Sequence, residues 1–183
     1  KGGRIMDTDT WTIGEHPHKE AALEWVKSNW HDLYSWGSEN VDSLKAFCDH
    51  FSLSNMDYEI SLCSYSYASA SVCDELEELR GVRLWKYLQN SGLLDNDLLS
   101  GNCPFTGYCF DETLLAPMRT FIAKPSDISY PDLVNECLGA WVSAYVSDWE
   151  HTYTDAALTE TLECNEYQFT ESGEIYWGVD HGN

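Results

Sequence analysis

Past Lys124 the sequence contains no lysine and no arginine, although twelve aspartates and glutamates follow. The whole chain of 183 residues has 10 basic side chains against 31 acidic ones, a net charge of −21. That balance excludes nucleic-acid binding, which concentrates Lys and Arg against phosphates. It also disfavours anionic membrane surfaces, which repel the same charge. No run approaches the roughly eighteen apolar residues of a membrane helix, and no basic-then-apolar leader marks secretion. The expected location is therefore the cytoplasm.

Catalytic signatures are missing as well. There is no phosphate-binding Gly-Lys-Ser/Thr loop, no dinucleotide glycine fingerprint, no nucleophile elbow and no His-Glu-x-x-His helix. Cys48-Asp49-His50 holds a thiol near an imidazole, but near neighbours on a helix point in different directions and form no nucleophile–base pair unaided. Asp95-Asn96-Asp97 opens like a calcium loop, yet Gly101 falls one residue late and no glutamate closes it. The seven cysteines are odd in number and lack the short paired spacing of structural zinc. Cys103 and Cys109 have the spacing to clasp a loop, or to bind zinc with Cys48 or a histidine. Reduced thiols, no cofactor and no enzymatic activity are the expectation.

What the chain does have is apolar and aromatic content: 43% hydrophobic residues, 8 Trp and 11 Tyr. Disordered chains lack such residues, so this one folds. Ala22, Leu23, Val26, Trp30, Leu33 and Tyr34 recur at helical steps after Pro17. A second helix is predicted from a Ser38 N-cap to Phe51, joined to the first at Trp36-Gly37-Ser38. Alternation from Asp57 to Ala70 predicts one kinked or bulged strand. A helix over about 72–89 is expected to carry a Glu77–Arg80 pair, followed by loop over 90–108 and a helix over 111–122 kinked or divided at Pro117.

Pro131 opens the longest helix, carried to about His151 by Val134, Leu138, Trp141, Tyr145 and Trp149. Thr154 starts a short helix to about Glu163, and a hairpin over 167–177 turns at Glu171-Ser172-Gly173. The fold class is α+β, a helix-rich single domain over 16–183 with a small antiparallel sheet or hairpins, behind a flexible N-terminal segment 1–15. Tryptophans on helical stripes are assigned to the core. Trp25, Trp36 and Trp177 fit no stripe so well, and exposed tryptophan is a common interface anchor.

The acids of the late segment form the candidate partner-binding surface: Asp132, Glu136, Asp148, Glu150, Asp155, Glu160, Glu163, Glu166, Glu171 and Glu174. Carboxylates one helical turn apart lie roughly 5–6 Å from each other. DNA presents one charge per about 1.7 Å of axis, so such rows on several elements suit a groove built for phosphates.

With its small size, abundant tryptophan and the acidic stretch from Asn165 to Glu174, the chain resembles the acidic accessory proteins of phages and mobile elements. The nearest of these in character are the DNA-mimicking anti-restriction and anti-CRISPR proteins, often dimers. The resemblance is one of character and carries over no residue. It implies a stoichiometric inhibitor that occupies the nucleic-acid site of a host defence nuclease, working by protein–protein contact in the host cytoplasm. An immunity protein or antitoxin that neutralises a basic nuclease toxin is the alternative within the same class. A small metal-binding enzyme using Cys48, His50, Cys103 and Cys109 is the alternative outside it.

Overall fold

The structure is a computed structural model that describes residues 9–29 and 37–178. Among these the chain order is β1 (Trp11–Thr12), α1 (Lys19–Asn29), α2 (Gly37–His50), β2 (Ser54–Glu59), β3 (Tyr67–Ser71), α3 (Asp74–Glu77), α4 (Gly81–Asn90), α5 (Asn96–Ser100), α6 (Phe110–Ala123), α7 (Tyr130–Thr152), α8 (Asp155–Cys164) and β4 (Gln168–Phe169). Two small antiparallel sheets pair β1 with β4 and β2 with β3. The architecture is thus the helix-rich α+β expected from the sequence.

The chain divides into two compact units. The first joins the segment up to Tyr34 with the segment from Glu150 on, and the second is Ser35–Trp149. In the first, Ile13, Ala22, Leu23, Val26, Leu158, Leu162, Phe169 and Ile175 form one core, with Trp25, Tyr153 and Tyr167 packed on it. Trp11 pairs with Phe169 and Thr12 with Gln168. Residues 11–15, expected within the flexible N-terminal segment, are therefore part of the fold: Ile13, in the turn after β1, is completely buried in the core with residues of α1 and α8.

In the second unit α2 packs on α6, and Trp141 of α7 donates from Nε1 to the Asn40 carbonyl at 2.9 Å. Trp141, Leu138 and Tyr145 are buried, while Asp132, Glu136, Gly139, Ser143 and Ser147 lie exposed on the opposite stripe. The predicted sidedness of this helix holds. α6 runs undivided through Pro117.

Several expectations are corrected. The segment over 57–70 is not one kinked strand but a hairpin, β2–β3, with its irregularity between Ser54 and Asp57. The Ser61 hydroxyl accepts the amides of Cys63 and Ser64, and Ser66 Oγ bonds both the amide and the carbonyl of Ser61. Side-chain oxygens thus build the turn without glycine or proline.

The single helix expected over 72–89 breaks into α3 and α4. Arg80 is extended, Gly81 has φ of 54°, and this stretch bonds elsewhere: Gly81 N–H to the Ile128 carbonyl, and Tyr130 N–H to that of Leu79. Arg80 accordingly pairs with Asp127 at 3.1 Å, not with Glu77. Ser38 lies inside the first turn of α2, not at its cap. The expected loop over 90–108 includes α5, capped by Asp95, whose side chain accepts the Leu98 amide at 2.8 Å. The first helix is described to Asn29; Trp30, Leu33, Tyr34 and the predicted joint at Trp36 lie outside the described residues.

Candidate functional site

The ten predicted acids divide between the units. Asp132, Glu136 and Asp148 belong to the second; Glu150, Asp155, Glu160, Glu163, Glu166, Glu171 and Glu174 belong to the first. The three in the second unit are a mixed set. Ser129 caps the start of α7 and holds Asp132: Ser129 Oγ accepts the Asp132 amide at 3.2 Å and donates to Asp132 Oδ2 at 2.6 Å. Asp148 is half-buried, and burial, then Tyr58 and Asp148 as neighbours, push the Tyr145 phenol up. Glu136 is exposed on the rim of a groove of about 540 Å³ that also holds Lys124, Pro117 and Phe121. Asp132 and Asp148 thus have local partners, while Glu136 stands exposed on that rim.

The first unit is different. All seven of its predicted acids are exposed. Asp155 alone among them has a cation within ion-pair reach among the described residues, Lys27 Nζ at 2.5 Å. The fold then adds acids that sequence reasoning passed over: Asp9, Glu15, Glu20 and Glu24 lie in the same unit, whose only described lysines are Lys19 and Lys27. Pairing of β1 with β4 brings the N-terminal acids to the late ones. The alternation of Trp11, Thr12 and Ile13 beside Asp9 is the signal in the sequence that sets these residues apart from a flexible N-terminal segment.

Three local devices hold the surface. Thr154 caps α8 by accepting the Ala157 amide at 3.3 Å, which sets the helix carrying Asp155, Glu160 and Glu163. At its other end Asn165 N–H bonds the Thr161 carbonyl, Glu166 N–H that of Glu163, and Tyr167 N–H that of Leu162. Glu166 sits in this terminus with φ of 55°, a left-handed conformation usually left to glycine or asparagine. Glu163 reaches over Gly14, where an added Cβ would come within 2.9 Å of its carboxylate.

The third device is the hairpin after β4. Phe169 bridges to Ile175, Thr170 and Glu174 bond through backbone at 2.9 Å, and Gly173 N–H returns to the Thr170 carbonyl at 2.9 Å. The predicted hairpin is present, with Glu171 and Glu174 presented on it. Asp9, Trp11, Thr170, Glu171 and Ser172 line an open groove of about 550 Å³. Trp177, flagged as an interface anchor, is 72% exposed and meets Tyr167 edge-on at 6.3 Å. Trp25 packs against the core of the same unit instead.

Of the residues of the metal-enzyme alternative, Cys48 and His50 are taken up in the packing of the second unit. Cys48 is buried, its thiol pushed up to about 11 by burial and then by Asp49. His50 Nε2 is 2.7 Å from the Leu93 carbonyl, and the ring lies against Phe51 and Phe105. Among the described residues no group of three or more His, Cys, Asp or Glu side chains is arranged to hold a metal ion. No described helix is long and apolar enough to cross a membrane. The chain matches no protein-family model, and neither a curated protein nor a solved structure shows significant similarity to it.

Proposed function

We propose that this protein is a binding inhibitor whose first unit presents an acidic surface in place of DNA phosphates, and so occupies the nucleic-acid site of a basic DNA-binding protein such as a host defence nuclease. The observation that carries this reading is the C-terminal end of α8. Glu160, Glu163 and Glu166 collect there, with no basic residue in the last turn. A helix C-terminus carries partial negative charge, so acids there oppose the dipole by about 0.3–1 kcal/mol each at low salt. Glu166 adds the cost of a left-handed backbone. A merely solvated face has no need of acids at the least favourable end of a helix; a surface selected for its field does.

The groove of Asp9, Trp11 and Glu171 complements this charge. Carboxylates and an indole face both attract guanidinium and ammonium groups, and these are the groups that line phosphate-binding clefts. Binding draws on exposed charge, so it falls with added salt.

The test is affinity capture from a host lysate at low and high salt, comparing the natural chain with one in which Glu160, Glu163, Glu166, Glu171 and Glu174 are all changed to Gln. A basic nucleic-acid-binding protein retained at low salt by the natural chain and lost with the variant supports the reading. Equal retention by both chains removes this surface from the function.

A further inference from the structure

Cys103 and Cys109, singled out by spacing as a loop clasp, have their thiols within hydrogen-bonding reach of each other. Both are free thiols, Cys109 exposed and Cys103 half-buried. The loop between them is held in that geometry by its own backbone. Cys103 takes a left-handed φ of 51°, and its carbonyl accepts the Gly107 amide at 3.1 Å.

Asp111 completes the frame. Its fully buried carboxylate accepts the amides of Phe105, Thr106 and Gly107 at 2.9, 2.6 and 3.2 Å, and the Thr106 hydroxyl at 2.8 Å. Thr106 Oγ1 in turn lies 3.0 Å from Ser43 Oγ, and the ring of Phe105 meets that of Phe47 edge-on at 6.3 Å. The loop is therefore anchored to α2 and α6, and the two sulfurs approach without a large loop-closure cost.

We propose that Cys103 and Cys109 are an oxidisable dithiol, a modification site at which hydrogen peroxide converts the pair into an intraloop disulfide. Cys109, the exposed member, meets the oxidant: its sulfur attacks one peroxide oxygen, the O–O bond breaks, the other oxygen leaves as water after protonation, and Cys109 becomes a sulfenic acid. Cys103 sulfur then attacks the Cys109 sulfur, the S–S bond forms, and the sulfenic oxygen leaves as a second water. Two thiol hydrogens and two electrons pass to the peroxide, which is fully reduced. Cys103, half-buried beside the exposed Cys109, is the resolving thiol; burial first, and then the neighbouring Cys109, push it up. The buried Cys48 and Cys137 are shielded from the same oxidant.

The sequence makes the test direct, because trypsin cleavage after Lys86 and Arg119 releases one peptide holding these two cysteines and no other. The reduced full-length chain is treated with excess hydrogen peroxide, remaining thiols are blocked with N-ethylmaleimide, and the 87–119 peptide is weighed. The expected major product has lost two hydrogens, carries no maleimide, and takes two maleimides after dithiothreitol. In a Cys109→Ser chain the same treatment gives no such dithiothreitol-reversible internal product. A natural-chain peptide found mainly with two maleimides, with separately over-oxidised sulfurs, or cross-linked to Cys63, Cys73 or Cys164 overturns the proposal.

Discussion

His16, buried within the first unit, places its Nε2 2.8 Å from the carbonyl of Thr170, a residue 154 positions further along the chain. The His18 amide donates to the other ring nitrogen at 3.0 Å, so Nδ1 is the acceptor and Nε2 carries the hydrogen that Thr170 receives. One imidazole thus ties the N-terminal turn to the acidic hairpin. Replacing His16 with Ala removes both bonds, a loss of about 0.5–1.5 kcal/mol for each, while the Thr170 carbonyl keeps the Gly173 amide. Faster amide hydrogen exchange at Thr170, Gly173 and Tyr176, whose N–H groups close the hairpin, is the expected local sign.

A pair of glycines separates two costs. Gly173 and Gly107 both have φ of 86°, but a Cβ at Gly173 would lie 3.1 Å from the backbone of Ala22, whereas at Gly107 it would meet nothing within 4 Å. Gly107→Ala should cost only the backbone strain, about 1–2 kcal/mol. Gly173→Ala should cost clearly more, because a backbone atom cannot swing aside as a side-chain tip does. Chemical denaturation of the two variants side by side measures the difference.

Glu166 offers a trade between stability and binding. Changing Glu166 to Gly relieves the left-handed strain and removes a charge from the wrong end of α8, a gain of about 1 kcal/mol. Glu166→Gln keeps the strain and removes only the charge, so its gain is smaller. Both variants should weaken partner capture at low salt to a similar degree, and thermal denaturation read beside capture distinguishes the backbone effect from the charge effect.

Much of the fold was legible because apolar stripes at helical spacing mark buried faces. α2 and α7 follow from the stripes that hold Leu44 and Phe47 and Leu138 and Trp141, and α8 from its Thr154 start. What was not legible rested on long-range bonds. The acid-to-base order over 74–86 reads as one helix, and only the bonds from Leu79 and Gly81 to residues near Ser129 break it. The β2–β3 turn uses serine hydroxyls in place of glycine, so its punctuation was weak. At the candidate surface the charge excess was plain in the sequence. Which acids share a unit depends on β1 meeting β4, a pairing of two residues across the length of the chain.

Buried thiols set an alkaline limit. Burial, then Asp49, pushes Cys48 up to about 11, and burial, the largest influence, pushes Cys137 up to about 12, from an ordinary value of 9.0. In the unfolded chain these thiols ionise near the ordinary value, while in the folded chain they hold their protons. Their contribution to stability is therefore fully present below about pH 9 and is lost as pH rises toward 11–12. Denaturation midpoints across that window should fall with pH. A Cys137→Ala chain, less stable at neutral pH, should show a shallower fall, and an equal slope would place the alkaline loss elsewhere.

The central claim is that acidic side chains of the first unit occupy a site meant for DNA. It is tested most directly by competition: a fluorescent duplex bound to the captured basic protein is titrated with the natural chain and with the variant changed to Gln at Glu160, Glu163, Glu166, Glu171 and Glu174. The account predicts that the natural chain displaces the duplex at near one-to-one stoichiometry in low salt, and that the five-fold variant does so at least about tenfold less well, the equivalent of about 1.4 kcal/mol. Simultaneous binding of duplex and natural chain to the same protein would contradict it.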